Sequence, residues 1–191
     1  MIGKWAIIAL TGLSLTAFAG SADAAVSVLG GSLASSCFRA AEYGGDVRDG
    51  IQVCDTALRE QALSTRDRAA TMINLGILRS QNADPTGALA SYNRGLALDP
   101  TLGEGYVDRG ATEIVLRDYE AAVADITKGL SLNANRPEIA YYDRAIANEA
   151  LGNIRDAYQD YKKAVELRPD FALANEQLMR FKVVRRGPNG A

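Results

Sequence analysis

Residues 72–76 read Met-Ile-Asn-Leu-Gly, residues 106–110 read Tyr-Val-Asp-Arg-Gly, and residues 141–145 read Tyr-Tyr-Asp-Arg-Ala. Each pentad opens on a large residue and closes on a small one, and the pentads lie 34 and then 35 residues apart. The extra residue falls near Asn135-Arg136-Pro137. Further matches follow at the same distances: Ala88, Tyr92, Gly95, Leu98 and Pro100; Ala122, Ile126, Gly129, Leu132 and Ala134; Ala157, Tyr161, Ala164, Leu167 and Pro169. A period of this length marks supersecondary units stacked along an axis.

The residue types say what each unit is. Gly76, Gly110 and Ala145 fall in the middle of a helical stretch, where glycine costs about 1 kcal/mol against alanine. Such a cost is expected where a second helix crosses too closely for a side chain. Ala88, Ala122 and Ala157 suit that crossing from the other side, with Tyr92, Ile126 and Tyr161 filling the space between the helices. Asp99-Pro100 and Arg168-Pro169 end helices, because the residue before proline is pushed out of the α region. Asn82-Ala83-Asp84-Pro85, Arg117-Asp118 and Gly152-Asn153 mark a turn inside each unit. Arg109 and Arg144 share a repeat position, as do Asp125 and Asp160, whereas the first unit has Leu75 and Ser91 there. Charge of both signs comes and goes together, which predicts an arginine–aspartate pair between the two helices of a unit.

Over residues 69–171 the pattern resembles the tetratricopeptide-repeat (TPR) family, a 34-residue helix-turn-helix in which a large residue, Leu-Gly, Ala, an aromatic, a small residue and Pro recur. The resemblance implies an all-α fold, a right-handed superhelical solenoid of helix-turn-helix repeats with a degenerate N-terminal repeat and a C-terminal capping helix. The expected division is a signal peptide at 1–24, a flexible linker at 25–36, a degenerate helical repeat at 37–68, repeats at 69–102, 103–137 and 138–171, a capping helix at 172–186 and a flexible tail at 187–191. The degenerate repeat rests on Val47, Ile51, Cys54 and Leu58 at helical spacing. The cap rests on Leu173, Leu178 and Phe181, since an array must cover its last apolar face.

In this family the concave face, lined by the first helix of each repeat, holds peptides or helices of partner proteins. The register puts Ile73, Ile77, Val107, Ala111, Tyr142 and Ile146 along that groove, with Asn74, Asp108 and Asp143 beside them and Glu104 and Glu149 nearby. The implied ligand is an apolar segment carrying Lys or Arg. A family subclass grips chaperone C-termini with lysine, arginine and asparagine. Here the corresponding positions hold Ile73, Ile77, Asp108, Ile139 and Asp143, or, counted from the degenerate repeat, Ser35, Arg39, Asn74, Glu104 and Asp108. Acidic or apolar groups stand where that clamp needs cations.

The leader reading starts from Lys4, an uncharged apolar stretch from Trp5 to Ala19, and Ala22-Asp23-Ala24 before Ala25, the pattern of an exported chain cut after Ala24. Cleavage leaves no stable membrane span, and export places the protein in the periplasm or outside the cell. An oxidising compartment favours a disulfide between the only two cysteines, Cys37 and Cys54. The basic end, Arg180, Lys182, Arg185 and Arg186, reads as a solvated helix terminus.

The chain has no histidine, so a Ser-His-Asp triad, a Cys-His pair and histidine metal ligation are excluded within it. A net charge of −2 gives no electrostatic reason to expect nucleic acid. Gly30-Gly31 and Gly44-Gly45 lack the flanking strand and helix of a phosphate cradle. The expected function is a non-enzymatic protein-interaction scaffold of the bacterial cell envelope, needing no cofactor and no metal. The alternative is a self-associating structural protein, or a small-molecule-binding or enzymatic helical protein in which Asp108 and Asp143 could act as an acid–base pair.

Overall fold

The computed structural model describes residues 5–9, 25–27 and 32–185. Helices α1 (Ser32–Tyr43), α2 (Val47–Glu60), α3 (Thr65–Gln81), α4 (Pro85–Leu98), α5 (Gly103–Val115), α6 (Tyr119–Ser131), α7 (Pro137–Ala150), α8 (Ile154–Leu167) and α9 (Ala172–Met179) follow in order. The pairs α1–α2, α3–α4, α5–α6 and α7–α8 pack as hairpins, and each hairpin stacks on the next through α2–α3, α4–α5 and α6–α7. The first helices also touch in series, α1 to α3, α3 to α5 and α5 to α7. They form the continuous inner layer of an all-α solenoid.

One local device makes the turn in each of the three full repeats. The chain leaves the first helix through a left-handed residue, Ala83 (φ 56°), Arg117 (φ 63°) or Gly152 (φ 77°). The next residue, Asp84, Asp118 or Asn153, begins the second helix. The Asp84 carboxylate accepts from the Gly87 N–H at 2.9 Å and Asp118 from the Ala121 N–H at 3.3 Å, satisfying donors that a helix start leaves open. Pro85 at the first helical position needs no such partner.

The close crossing is where the small residues predict it. A Cβ added to Gly76 would lie 2.4 Å from Tyr92 Cε1, and one added to Gly110 would lie 2.6 Å from Ile126 Cγ1. The large residue of the second helix occupies the space the glycine leaves. Tyr92, Ile126 and Tyr161 are fully buried as a result.

The paired charges also meet. Arg109 Nε and Nη2 donate to the two Asp125 oxygens at 2.5 and 2.8 Å, and Arg144 does the same to Asp160 at 2.9 and 2.7 Å. Each arginine does more than the sequence suggests. Arg109 Nη1 donates back to Asn93 Oδ1 on α4 at 2.7 Å, and Arg144 Nη1 donates to Thr127 Oγ1 on α6 at 3.0 Å. Each guanidinium lies over a tyrosine one turn earlier, Tyr106 at 5.4 Å and Tyr141 at 5.3 Å. In the first repeat, where Leu75 replaces the arginine, Arg79 fills the same role from the next turn of α3. It donates to Ser91 Oγ on α4 at 3.0 Å and pairs with Asp55 on α2 at 3.8 Å. Every full repeat thus ties three helices through one guanidinium.

Cys37 and Cys54 are joined across the α1–α2 hairpin, with their Cα atoms 4.8 Å apart.

Four expectations are corrected. The boundary at 69 cuts through α3, which starts at Thr65 because Ser64 caps it by accepting from the Asp67 N–H at 3.1 Å. Within the stretch 25–36, expected as a flexible linker, the described residues are ordered parts of the fold: Ala25 and Val26 are buried and α1 begins at Ser32, while 28–31 lie outside the described residues. The early start of α1 is anchored where the Ala34 N–H donates to Gln61 Oε1 at 3.1 Å, and Gly30-Gly31 masked that helix in the sequence. The capping helix does not run over 172–186. It stops at Met179, and β2 (Phe181–Arg185) pairs antiparallel with β1 (Trp5–Ala9), Phe181 opposite Ala9 and Arg185 opposite Trp5. Adjacent β-branched residues, Val183 and Val184, favour the extended form. Leu178 and Phe181 pack on the core as expected, but Leu173 is exposed. β1 lies inside the stretch expected to be cleaved; the rest of that leader, including the Ala22–Ala24 cleavage signal, as well as Arg186 and the tail 187–191, fall outside the described residues.

Candidate peptide groove

The residues assigned to the groove all lie on the inner helices α3, α5 and α7, yet most are not an open surface. Ile73 is fully buried, its Cδ1 filling the space left by Gly95 and Gly105, where an added Cβ would lie 2.8 and 2.7 Å away. Val107 packs in the same way into Gly129. Tyr142 stacks between Tyr161 (5.7 Å) and Phe171 (5.1 Å), and burial pushes its hydroxyl up to about 12. Ile77 and Ile146 are buried and Ala111 is half-buried. Ile73 thus meets Gly95 of its own hairpin and Gly105 of the next, whereas Val107 fills the crossing inside its own α5–α6 hairpin.

The acidic residues are also drawn inward. Asp108 and Asp143 are 3% and 0% exposed. Glu104 Oε1 accepts from the Asn135 N–H at 3.2 Å, tying α5 to the loop after α6. Glu149 accepts from Tyr161 Oη at 3.2 Å and pairs with Arg180 at 2.6 Å, which locks the end of α9 onto α7. Arg180 also bonds Gln177, so its charge is employed in the fold. The acidic edge read from the register is therefore an acidic lining, with its members half-buried or buried.

Asn74 stands apart from its repeat equivalents Asp108 and Asp143 because an amide both donates and accepts. Its Oδ1 accepts from the Val26 N–H at 2.7 Å, and its Nδ2 donates to the Val26 carbonyl at 2.9 Å. The Asn74 side chain thus acts as a one-residue strand edge, exchanging both main-chain bonds with an extended residue. The Val26 side chain joins the core formed with Cys37, Ala41, Ile73 and Ile77. Beside it the Ala25 N–H donates to Glu42 Oε2 on α1 at 3.2 Å. The residue chemistry of Asn74 was visible in the sequence; its partner, 48 residues earlier, was not.

Between α6, α7 and α8, a cleft of about 380 Å³ is bounded by Val123, Thr127, Arg144, Asn148, Asp156, Gln159 and Asp160. Its polar walls bond one another, Arg144 to Asp160 and Thr127, and Asn148 Nδ2 to Asp160 Oδ2 at 3.3 Å. Among the described residues no group of three His, Cys, Asp or Glu could hold a metal ion.

The sequence profile of the tetratricopeptide repeat matches residues 139–171. Serine/threonine-protein phosphatase T of Aspergillus oryzae is 35% identical over 102 residues, which is 53% of this chain but 20% of that protein. The chain therefore spans about a fifth of that relative's length. Among solved structures, the crystal structure of MamA covers 78% of this chain and 82% of its own, with a TM-score of 0.65 at 20% identity. The first TPR of Spaghetti (RPAP3), bound to an HSP90 peptide, covers 59% of this chain and 90% of its own, with a TM-score of 0.55 at 24% identity.

Proposed function

We propose that this chain, a tetratricopeptide-repeat protein, is a non-enzymatic scaffold of the bacterial cell envelope that takes an extended segment of a partner protein along its inner helices. The observation that carries this reading is the grip of Asn74 on both main-chain groups of Val26. Main-chain bonds of this kind hold an extended segment whatever its side chains, and apolar surroundings then select among them. A similar fold in the first TPR of Spaghetti (RPAP3) is bound to an HSP90 peptide, which supports a peptide segment as the kind of ligand. Asp108, Asp143, Glu104 and Glu149 make the inner layer acidic, so the partner segment is apolar with one or more Lys or Arg residues. The leader at 1–24 and the Cys37–Cys54 bridge support export into an oxidising compartment.

The test is capture from an envelope extract, comparing the wild type with Asp108→Asn/Asp143→Asn. Asparagine is chosen because both sites are buried and a lysine there would disrupt the fold. Loss of bound proteins from the variant, with its thermal transition unchanged, supports the groove and names the partner. The same proteins retained at the same yield overturn an acidic inner-face site. Intact mass of the exported chain tests the leader separately.

A further inference from the structure

We infer that the first tenant of the groove is the chain's own N-terminal segment: Asn74 holds Val26 by its main chain, Glu42 holds Ala25, and a partner must displace residues 25–27 to reach Asn74. Ala25 and Val26 are 8% and 6% exposed, so this segment is packed rather than draped. Asn74 is fully buried beneath it. A buried amide deprived of partners is costly, so an empty Asn74 site is disfavoured and its occupant stays until a competing main chain takes over both bonds.

The position of the segment gives export processing a structural outcome. The inference rests on the proposed export in this one respect. Hydrolysis of the Ala24–Ala25 bond by a signal peptidase adds one water across it: Ala24 leaves as a carboxylate, and the Ala25 nitrogen, an amide before, becomes an ammonium. That nitrogen already lies 3.2 Å from Glu42 Oε2. Cutting therefore converts an amide–carboxylate hydrogen bond into an ammonium–carboxylate ion pair at the same place. Glu42 is exposed, so this pair is weak and the Asn74 bonds dominate. Val26 is recognised through its N–H, which proline lacks.

The experiment follows hydrogen exchange of the Val26 amide in the mature chain. Protection of ~100-fold is expected over an unstructured peptide, falling at least tenfold in Asn74→Ala and about threefold in Glu42→Gln. A second arm does not depend on Asn74→Ala folding. Val26→Pro removes the donor from the tail and leaves the groove intact. A C-terminally labelled peptide of residues 25–29, Ala-Val-Ser-Val-Leu, is then titrated onto each chain by fluorescence anisotropy. It binds Val26→Pro and not the wild type if the tail occupies the site. Exchange of the wild-type Val26 amide at the free-peptide rate, or equal peptide binding to both chains, overturns the proposal. If intact mass shows the Ala24–Ala25 bond uncut, the export reading and the Glu42 ion pair fall, while Val26 protection in that uncut chain still decides the Asn74 site.

Discussion

The Arg109 guanidinium and the Asp125 carboxylate lie edge to edge, with Nε and Nη2 of one at 2.5 and 2.8 Å from the two oxygens of the other. The side chains are 20% and 14% exposed, between a surface pair and a buried one. Asp125→Ala should therefore cost about 2 kcal/mol, more than the ~1 kcal/mol of an exposed pair and less than the roughly 3–5 kcal/mol of a buried one. Arg109→Met/Asp125→Leu should cost less than the two single changes together. Urea unfolding of the four proteins measures the coupling, and additive costs would count against the pair.

Glu113 gives the fold a pH dependence of its own. It faces the same pair, and its buried Oε2 has no hydrogen-bond partner among the described residues. Burial, and then the Asp125 charge, push its carboxyl from 4.5 up to about 7. The folded state thus binds this proton more tightly than the unfolded chain. The contribution is fully present below about pH 4.5 and is lost as pH rises through 7. Glu113→Gln, neutral at every pH, should be more stable than wild type at about pH 8, by a few degrees in Tm. The gap between the two should close at about pH 5.

Gly129 is the least replaceable of the small residues. A Cβ there would lie 2.7 Å from the Gly103 carbonyl oxygen and 2.5 Å from Val107 Cγ2. Main chain cannot swing aside as a side-chain tip can, so the overpacking strain should exceed the gain in helix propensity. Gly129→Ala should lose about 2 kcal/mol in urea unfolding. An unchanged midpoint would mean that α5 and α6 can separate freely.

Arg117 should respond in the opposite direction. It holds the same left-handed turn that Gly152 makes in the next repeat, at φ 63° against 77°. A side chain strains this conformation, although glycine adds freedom to the unfolded chain. Arg117→Gly should be neutral or stabilising by up to about 1 kcal/mol. A loss of more than that amount would show that the Arg117 side chain makes a stabilising contact.

The bridge between Cys37 and Cys54 closes a loop with a sequence separation of 17. Cys37→Ala/Cys54→Ala should lower stability by about 3 kcal/mol. The loss should be largest for the α1–α2 hairpin, read as amide exchange there rising ahead of exchange in α7 and α8.

What the sequence made legible was whatever recurs. The 34-residue period exposed the hairpins, the glycine crossings and the Arg109–Asp125 and Arg144–Asp160 pairs, because each leaves the same mark in successive copies. Contacts that occur once left no such mark. The register put Ile73, Val107 and Tyr142 on the inner helices, but it could not show that Gly105, Gly129 and Phe171 cover them. Nothing periodic connects Val26 to Asn74 or Phe181 to Ala9, so both pairings required the folded chain. Arg79 was missed for a related reason: it stands in for Arg109 from one helical turn later, where a strict alignment does not look.

The backward reach of the arginines gives the array a direction. Arg109 and Arg144 each take an acceptor, Asn93 or Thr127, from the hairpin that precedes their own. A module cut out at the repeat border departs with a stranded donor, so these units are not interchangeable bricks. At the matching place in the last full repeat stands Lys162, a cation that pairs with Glu166 at 3.6 Å. A further copy arriving with its own arginine would meet like charge instead of an oxygen. The solenoid is polar in this sense, open to splicing where Asn93 and Thr127 wait and closed to growth beyond α8.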